Sequence, residues 1–395
     1  MATINRIDTI LATGQNSNAI NDGTCYAVEI PNGSLYIFYV DANSDPVFKK
    51  STDYGASWGA ATQLKACTCT QIAVWYDGWS GITATSYIHV VYTDTGTNDT
   101  FYRYVDTANS DTLGTERTVY AGSSAADAGT LSITRARGGN LICATCIDAG
   151  AEYDTVKSTD YFVNKTSIAE ALEGATTDKI IMMPGWAADN QDVMAFFWDA
   201  SANEVSVKFY DDSGDAWSET VLGTSMVEVA VYNPQFAAAV DTTNSQNVIV
   251  AWNGADAANA DLRCWKVTEA AQTEVTNVVL NSTDDQACCA ISIKGTEWHC
   301  FYMGASDGSE SVYKRLKIYY KYSLDQGTTW GSETAASNMY YNPDNGFSLP
   351  TGVLYSNPVV YRKIYLTGYS FNVTINPYVN IPMPIGRRAT FQLGM

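Results

Sequence analysis

The sequence predicts an all-β chain, a β-propeller of four-stranded antiparallel blades, and three observations carry that prediction. Short apolar runs recur at one period, an octapeptide turn recurs in a second register of the same period, and the composition suits strands and turns. The runs are Ile37–Asp41, Val90–Asp94, Ala144–Asp148, Ala195–Asp199, Val250–Gly254 and Cys300–Gly304, whose last residues step by 53, 54, 51, 55 and 50. Six copies at such a period mean six similar units. Within the first, Cys25–Ile30, Leu35–Asp41, Val47–Ser51 and Ala60–Lys65 read as strands separated by turn residues. Four-stranded units of this length are propeller blades.

The turn is Ser51-Thr52-Asp53-Tyr54-Gly55-Ala56-Ser57-Trp58. The hydroxyl and carboxylate suit capping of turn N–H groups, Gly55 accepts positive φ, and Trp58 is placed to bury its ring. Ser323, Asp325, Gly327 and Trp330 repeat the pattern in full; Asp212, Gly214 and Trp217 repeat it without the hydroxyl, and Ser158-Thr159-Asp160-Tyr161 begins a degraded copy. These octapeptides resemble the Asp-box, or BNR repeat, of the sialidase-like β-propellers. The resemblance implies a structural turn on the face opposite the family's active site, and says little about activity.

Later outer strands are expected at Glu116–Ala121, Ser218–Gly223 and Glu274–Asn281. The segment Ile4–Thr13 has strand character with no strands before it, and is expected to complete the last blade and remove free edges. Residues 1–23 are thus a closing strand, 24–337 six blade repeats, and 338–395 either a last blade or an attachment tail, all in one domain of 395 residues. Lys363–Phe371 and Arg388–Met395 read as strands there, which favours seven blades over six plus a tail.

Composition excludes several classes. There are 23 Lys and Arg against 42 Asp and Glu, for a net charge of −19, which repels phosphate backbones and anionic membranes. No apolar run approaches the ~20 residues of a spanning helix, and the first residues lack a signal-peptide pattern. Nucleic acid and membrane insertion are not expected. Nine cysteines are an odd count in a chain too large to need staples, and are expected mostly as free, buried thiols. His89 and His299 share one slot of the aligned runs with Tyr36, Cys143, Met194 and Ile249. A slot shared with Met and Ile is a packing slot.

The loops that follow the aligned runs carry paired acids: Asp41/Asp45, Asp94/Asp99, Asp148/Asp154, Asp199/Glu204, Asp256/Asp261 and Asp307/Glu310. Propeller geometry puts these loops on one face, opposite the octapeptide turns. Two readings stand: a carboxylate face for Ca²⁺ or a hydroxyl-rich ligand, or residues that simply make good turns, the latter holding for most of the twelve. Trp79, Trp186, Tyr232, Tyr340 and Tyr341 fall in or near loops, where rings can stack on sugars.

The sialidase resemblance implies three arginines for a substrate carboxylate, a Tyr activated by Glu and an Asp acid/base. Arg6-Ile7-Asp8 matches the family's first arginine motif without its proline; Arg263 and Arg362, the latter beside Tyr361, are the other candidates. No Tyr/Glu pair is assignable. The expectation is therefore a non-enzymatic propeller needing no cofactor, a structural or host-adsorption component of a virus particle such as a phage tail, made in the host cytoplasm and meeting other virion proteins, itself or a cell-surface glycan. A sialidase-like glycoside hydrolase and an intracellular interaction scaffold are the alternatives.

Overall fold

The computed structural model describes residues 9–15, 25–53, 56–76, 86–122, 131–147, 152–168, 179–187, 189–199, 201–226, 236–252, 262–275, 287–303, 318–335, 347–348, 359–365 and 370–376. Its regular elements are β-strands in antiparallel four-stranded sheets, giving an all-β propeller. Six blades follow one another along the chain. Blade 1 is Cys25–Glu29, Leu35–Val40, Pro46–Ser51 and Thr62–Gln63. Blade 2 is Ile72–Tyr76, Tyr87–Asp94, Asp99–Asp106 and Arg117–Ala121, with Thr112–Leu113 as a fifth short strand. Blade 3 is Leu131–Arg135, Leu141–Ile147, Glu152–Ser158 and Thr166–Ile168. Blade 4 is Lys179–Pro184, Val193–Asp199, Glu204–Asp211 and Ala216–Thr224. Blade 5 is Phe236–Asp241, Gln246–Trp252, Leu262–Val267 and Gln272–Glu274. Blade 6 is Ala287–Lys294, Glu297–Met303, Ile318–Ser323 and Thr334–Ala335.

Burial explains the sequence pattern of each layer. The second strand of blade 1 is buried throughout, as is most of that of blade 4, because neighbouring blades cover both of its faces. It therefore reads as a continuous apolar run rather than an alternation. Third strands carry half-buried positions and outer strands are largely exposed. The shared slot behaves as a packing slot: Tyr36, His89, Cys143, Met194 and Ile249 have no exposed surface, and His299 very little. Each histidine is also hydrogen-bonded, His89 Nδ1 with the Tyr102 hydroxyl at 2.7 Å and His299 Nε2 with Glu297 Oε1 at 2.9 Å. Cys67, Cys69, Cys143, Cys264, Cys289 and Cys300 are free thiols.

The two chain ends share a further sheet, ordered Thr9–Gln15, Ser370–Asn376, Val359–Tyr365 and Phe347–Ser348. Val359–Tyr365 lies beside Cys25–Glu29 of blade 1. The described N-terminal strand is Thr9–Gln15, residues 4–8 of the expected one lying outside the described set. Two expectations need correction. The expected strand Lys363–Phe371 is instead parts of two, paired so that Tyr365 faces Ser370. The outer strand expected over Ala60–Lys65 shrinks to Thr62–Gln63. Arg388–Met395 lies outside the described residues.

Antiparallel order fixes the two faces. Turns joining first to second and third to fourth strands emerge on one side, here the turn face. Connections from second to third strands, and from each outer strand to the next blade, emerge on the other, the loop face.

Candidate functional site

On the turn face three octapeptides close in the same way. Asp53 Oδ1 accepts from Ser51 Oγ and Ser57 N, each at 2.8 Å, and Oδ2 accepts from Ser57 Oγ at 2.6 Å. Asp325 takes the same bonds from Ser323 Oγ, Thr329 N and Thr329 Oγ1 at 2.8, 2.8 and 2.7 Å. In the degraded copy Asp160 takes them from Ser158 Oγ, Asn164 N and Asn164 Nδ2 at 3.0, 2.8 and 2.6 Å. The hydroxyl of Ser57, its backbone N–H and Ser51 hold Asp53 down at about 2, and Thr329 and Ser323 do the same for Asp325.

Gly327 sits at φ 80°, and its place in the turn at Asp160 is taken by Phe162 at φ 61°, preceded by Tyr161 at φ 60°. Phe162 N donates to Ser158 Oγ at 2.8 Å as Gly327 N does to Ser323 Oγ. Gly55 lies outside the described residues. Trp58 and Trp330 are only half-buried, against expectation, because the ring folds over its own turn: Trp330 Nε1 donates to the Gly327 carbonyl at 3.1 Å.

The segment 210–217 departs from the pattern. Its capping carboxylate is Asp211, whose Oδ1 accepts from Ser213 N, Ser213 Oγ and Gly214 N at 2.9, 2.7 and 3.1 Å. Asp212 instead holds Lys157 of blade 3 at 2.9 Å. The cause is Tyr210 in the serine position: its hydroxyl reaches past the turn to Asp215 at 2.6 Å, and its ring stacks obliquely on Trp217 at 5.0 Å.

On the loop face the acids mostly cap their own loops. Asp41 Oδ1 accepts from Asn43 N and Asp45 N at 2.8 and 2.9 Å. Asp45 accepts from Gln63 Nε2 at 2.5 Å and Cys67 N at 2.8 Å. Asp94 caps Gly96 N at 2.9 Å and faces Lys65 at 3.5 Å; Asp99 accepts from Gly122 N at 3.1 Å. Asp199 accepts from Ser201 Oγ and Ala202 N at 2.7 and 2.8 Å, and Glu204 pairs with it across the hairpin. Asp154 pairs with Thr145 in the backbone ladder, its side chain outside the described set with Asp148, Asp256, Asp261, Asp307 and Glu310.

Arg263 is held by its own blade. It forks onto Glu274 at 2.8 and 3.0 Å, with its guanidinium 4.9 Å from the centre of the Trp265 ring. Arg6 lies outside the described residues. Tyr361 and Arg362 occupy strand positions facing Thr374 and Val373, their side chains not described. Among the loop aromatics, Trp186 lies beneath Arg137, which donates to the carbonyls of Gly185 and Ala187 at 2.8 and 2.5 Å. Trp79, Tyr232, Tyr340 and Tyr341 lie outside the described set.

Two Tyr/Glu pairs escaped the sequence reading. Tyr92 donates to Glu116 Oε2 at 2.7 Å, and Tyr302 donates to Glu333. The two tyrosines fill one slot of the aligned runs, which is the signal that could have found them. Burial above all, and then the carboxylate partner, pushes both phenols up. A nucleophilic phenol needs the opposite shift, and neither tyrosine has exposed surface. Lys65 and Arg103 approach Glu116 at 3.4 and 3.6 Å, so the blade 2 pair belongs to a structural network.

The carboxylates that do converge are Asp189, Asp192 and Asp211, with one oxygen each within 4.8 Å of the others. They lie on the turn face, not the loop face where a cation was expected. Register brings them together, since Val193 faces Tyr210 and the next residues outward are Asp192 and Asp211. Burial pushes Asp192 up to about 6; the N–H of Asp212 opposes that shift, while Asp189, Asp211 and Glu269 add to it. Oxygen-only donors of this kind suit a hard cation.

No protein-family model matches the chain, and no curated protein matches it. Solved structures resemble it in fold. A polysaccharide lyase of family PL25, an ulvan lyase, superposes with a TM-score of 0.57 over 93% of this chain and 95% of its own, at 9% identity. The same type of enzyme bound to -[GlcA(1-4)Rha3S]- gives 0.55 over the same shares, also at 9% identity. The Hadza microbial sialidase Hz136 is 13% identical over 94% of this chain and 68% of its own, with a TM-score of 0.47.

Proposed function

We propose that this chain is a non-enzymatic, glycan-recognising β-propeller that serves as a structural or host-adsorption component of a virus particle. The observation that carries the non-enzymatic part is the state of the loop face. Asp41, Asp94 and Asp199 accept hydrogen bonds from their own loops, Asp45 and Asp99 accept from the outer strand or the connection to the next blade, and Arg263 is forked onto Glu274. Catalysis on a glycan needs a free acid and base converging on one pocket. Support for a glycan partner is fold likeness alone: the superposition on a polysaccharide lyase spans nearly the full length of both chains.

In this reading the sheet shared by the chain ends is a seventh blade, since it has four strands and lies beside blade 1, and the N-terminal strand closes the ring. The three Ser/Asp turns support kinship with the Asp-box propellers, because their bonds repeat with one geometry. No cofactor is required; Ca²⁺ is the ion to test.

Binding of the purified chain to acidic and neutral polysaccharides, followed by reducing-end and unsaturated-uronate assays on the same mixtures, tests the proposal. Binding without new chain ends supports it. New reducing ends would establish the second reading, a glycan-cleaving enzyme, which the lyase superposition favours. Mass spectrometry of purified virus particles tests the location.

A further inference from the structure

Edge strands of a sheet are open to pairing, and proteins blunt them by shortening them or adding charge. Among the described residues, the outer strand is two to five residues long in five of the six blades. Blade 4 departs from this, since Ala216–Thr224 runs for nine residues at the end of its sheet. Its bulge lies near the far end, between the pairs of Val205 and Ser206, and leaves Ala216–Val221 in continuous register with Asp211–Ser206. There is no proline in it, and Val221 is 45% exposed.

We propose that this edge is a docking site for an extended, basic segment of a partner protein, which adds to blade 4 as a fifth strand. Main-chain bonds would supply affinity and the alternating side chains selectivity. Charge selects the partner. Trp217, Glu219 and Val221 share one face of the strand by its period of two; Glu219 is the acid on that row, with Asp211 and Asp215 at the turn before it, both exposed. Lys208 at 3.7 Å from Glu219 and Lys157 at 2.9 Å from Asp212 balance two of the four acids at this end of the strand, Asp211, Asp212, Asp215 and Glu219, so an acidic surplus remains. A Lys or Arg opposite Glu219 and an apolar residue opposite Val221 complement the row. A second copy of this chain is the poorer occupant, because self-pairing would bring two Glu219 side chains onto one row of a chain of net charge −19.

The probe is a labelled peptide of the repeat Lys-Thr-Val-Thr, which sets Lys and Val in turn along one face, matched in length to the strand, with a Glu-Thr-Val-Thr peptide as control. Anisotropy should show binding of the Lys peptide in preference to the Glu peptide, and hydrogen exchange should slow at Ala216–Thr224. Glu219→Lys should weaken the Lys peptide by up to about fivefold while strengthening the Glu peptide, the size of one cross-strand charge pair. Val221→Lys, a second exposed change, should weaken both, with thermal unfolding unaltered. Unchanged exchange at this strand, or affinity indifferent to Glu219→Lys, overturns the proposal. So does a wild-type dimer in light scattering that Val221→Lys converts to monomer, because the edge would then belong to a second copy.

Discussion

Gly327→Ala separates two costs that the turn of blade 6 imposes on a side chain. The backbone there is left-handed, at φ 80°, which costs an L-residue roughly 1–2 kcal/mol. The added Cβ would also stand 2.7 Å from Cζ3 and 3.0 Å from Cε3 of Trp298, a ring with no exposed surface that cannot move aside. Overpacking of that kind costs about 1–3 kcal/mol, so the sum is about 2–5 kcal/mol. Gly122→Ala is the control, since Gly122 has φ 83° with nothing within 4 Å of a new Cβ, and should cost only the backbone share. Urea unfolding followed by tryptophan fluorescence reads both variants, through the midpoint at constant slope. If the two lose equal stability, the clash with Trp298 has been misjudged; if neither loses any, so has the backbone.

Four further outcomes are expected. Asp53 and Asp325, held near 2 by hydrogen bonds, stabilise the fold above the ordinary carboxylate range and lose that contribution as pH falls through about 2. Asp192, pushed up to about 6, acts with the opposite sign: stability falls as pH rises from about 4 to above 6. Asp192→Asn should remove that decline in a series of unfolding curves while changing little at pH 4, because an amide oxygen can still accept from Asp212 N. A double-mutant cycle of Lys157→Met with Asp212→Asn should give a coupling of about 0.5–1 kcal/mol between blades 3 and 4, modest because both side chains are 22% exposed. Arg263→Ala should cost about 1 kcal/mol in stability, through its fork onto Glu274 and its place over Trp265, and leave polysaccharide binding unchanged in titration.

The second strands were the legible part of the fold because both of their faces are buried, which makes Leu35–Val40 or Val193–Asp199 an unbroken apolar run. Outer strands such as Thr62–Gln63 are exposed and short, so little in their composition betrays their bounds. The Ser/Asp turns were legible because their bonds are local, within seven residues of sequence. The misreading at 210–217 came from matching Asp, Gly and Trp without the serine, and the hydroxyl at that position is what lets the turn close on the second acid. The Asp189, Asp192 and Asp211 cluster was not legible as a motif, since its members come from two different turns and meet only through the pairing of Val193 with Tyr210.

Residue identity is a poor guide to chemistry in this chain, and the tyrosine pairs show why. Tyr92 with Glu116 and Tyr302 with Glu333 have the composition of a nucleophile and its base. A base that activates a phenol must leave it reachable and nearer to ionisation. These carboxylates do the reverse: each accepts the proton of a phenol that burial already keeps neutral, and ionising it would leave a buried anion beside a carboxylate. Tyr36 with Asp111 and Lys50 repeats the arrangement between blades 1 and 2, as Tyr210 with Asp215 and Lys157 does between blades 3 and 4. One device thus recurs, within blades 2 and 6 and between neighbouring blades in the other two cases: a phenol with its hydroxyl on a carboxylate and, in three of the four, a lysine near that carboxylate. Four such pairs account for tyrosines, acids and lysines that would otherwise invite a catalytic reading.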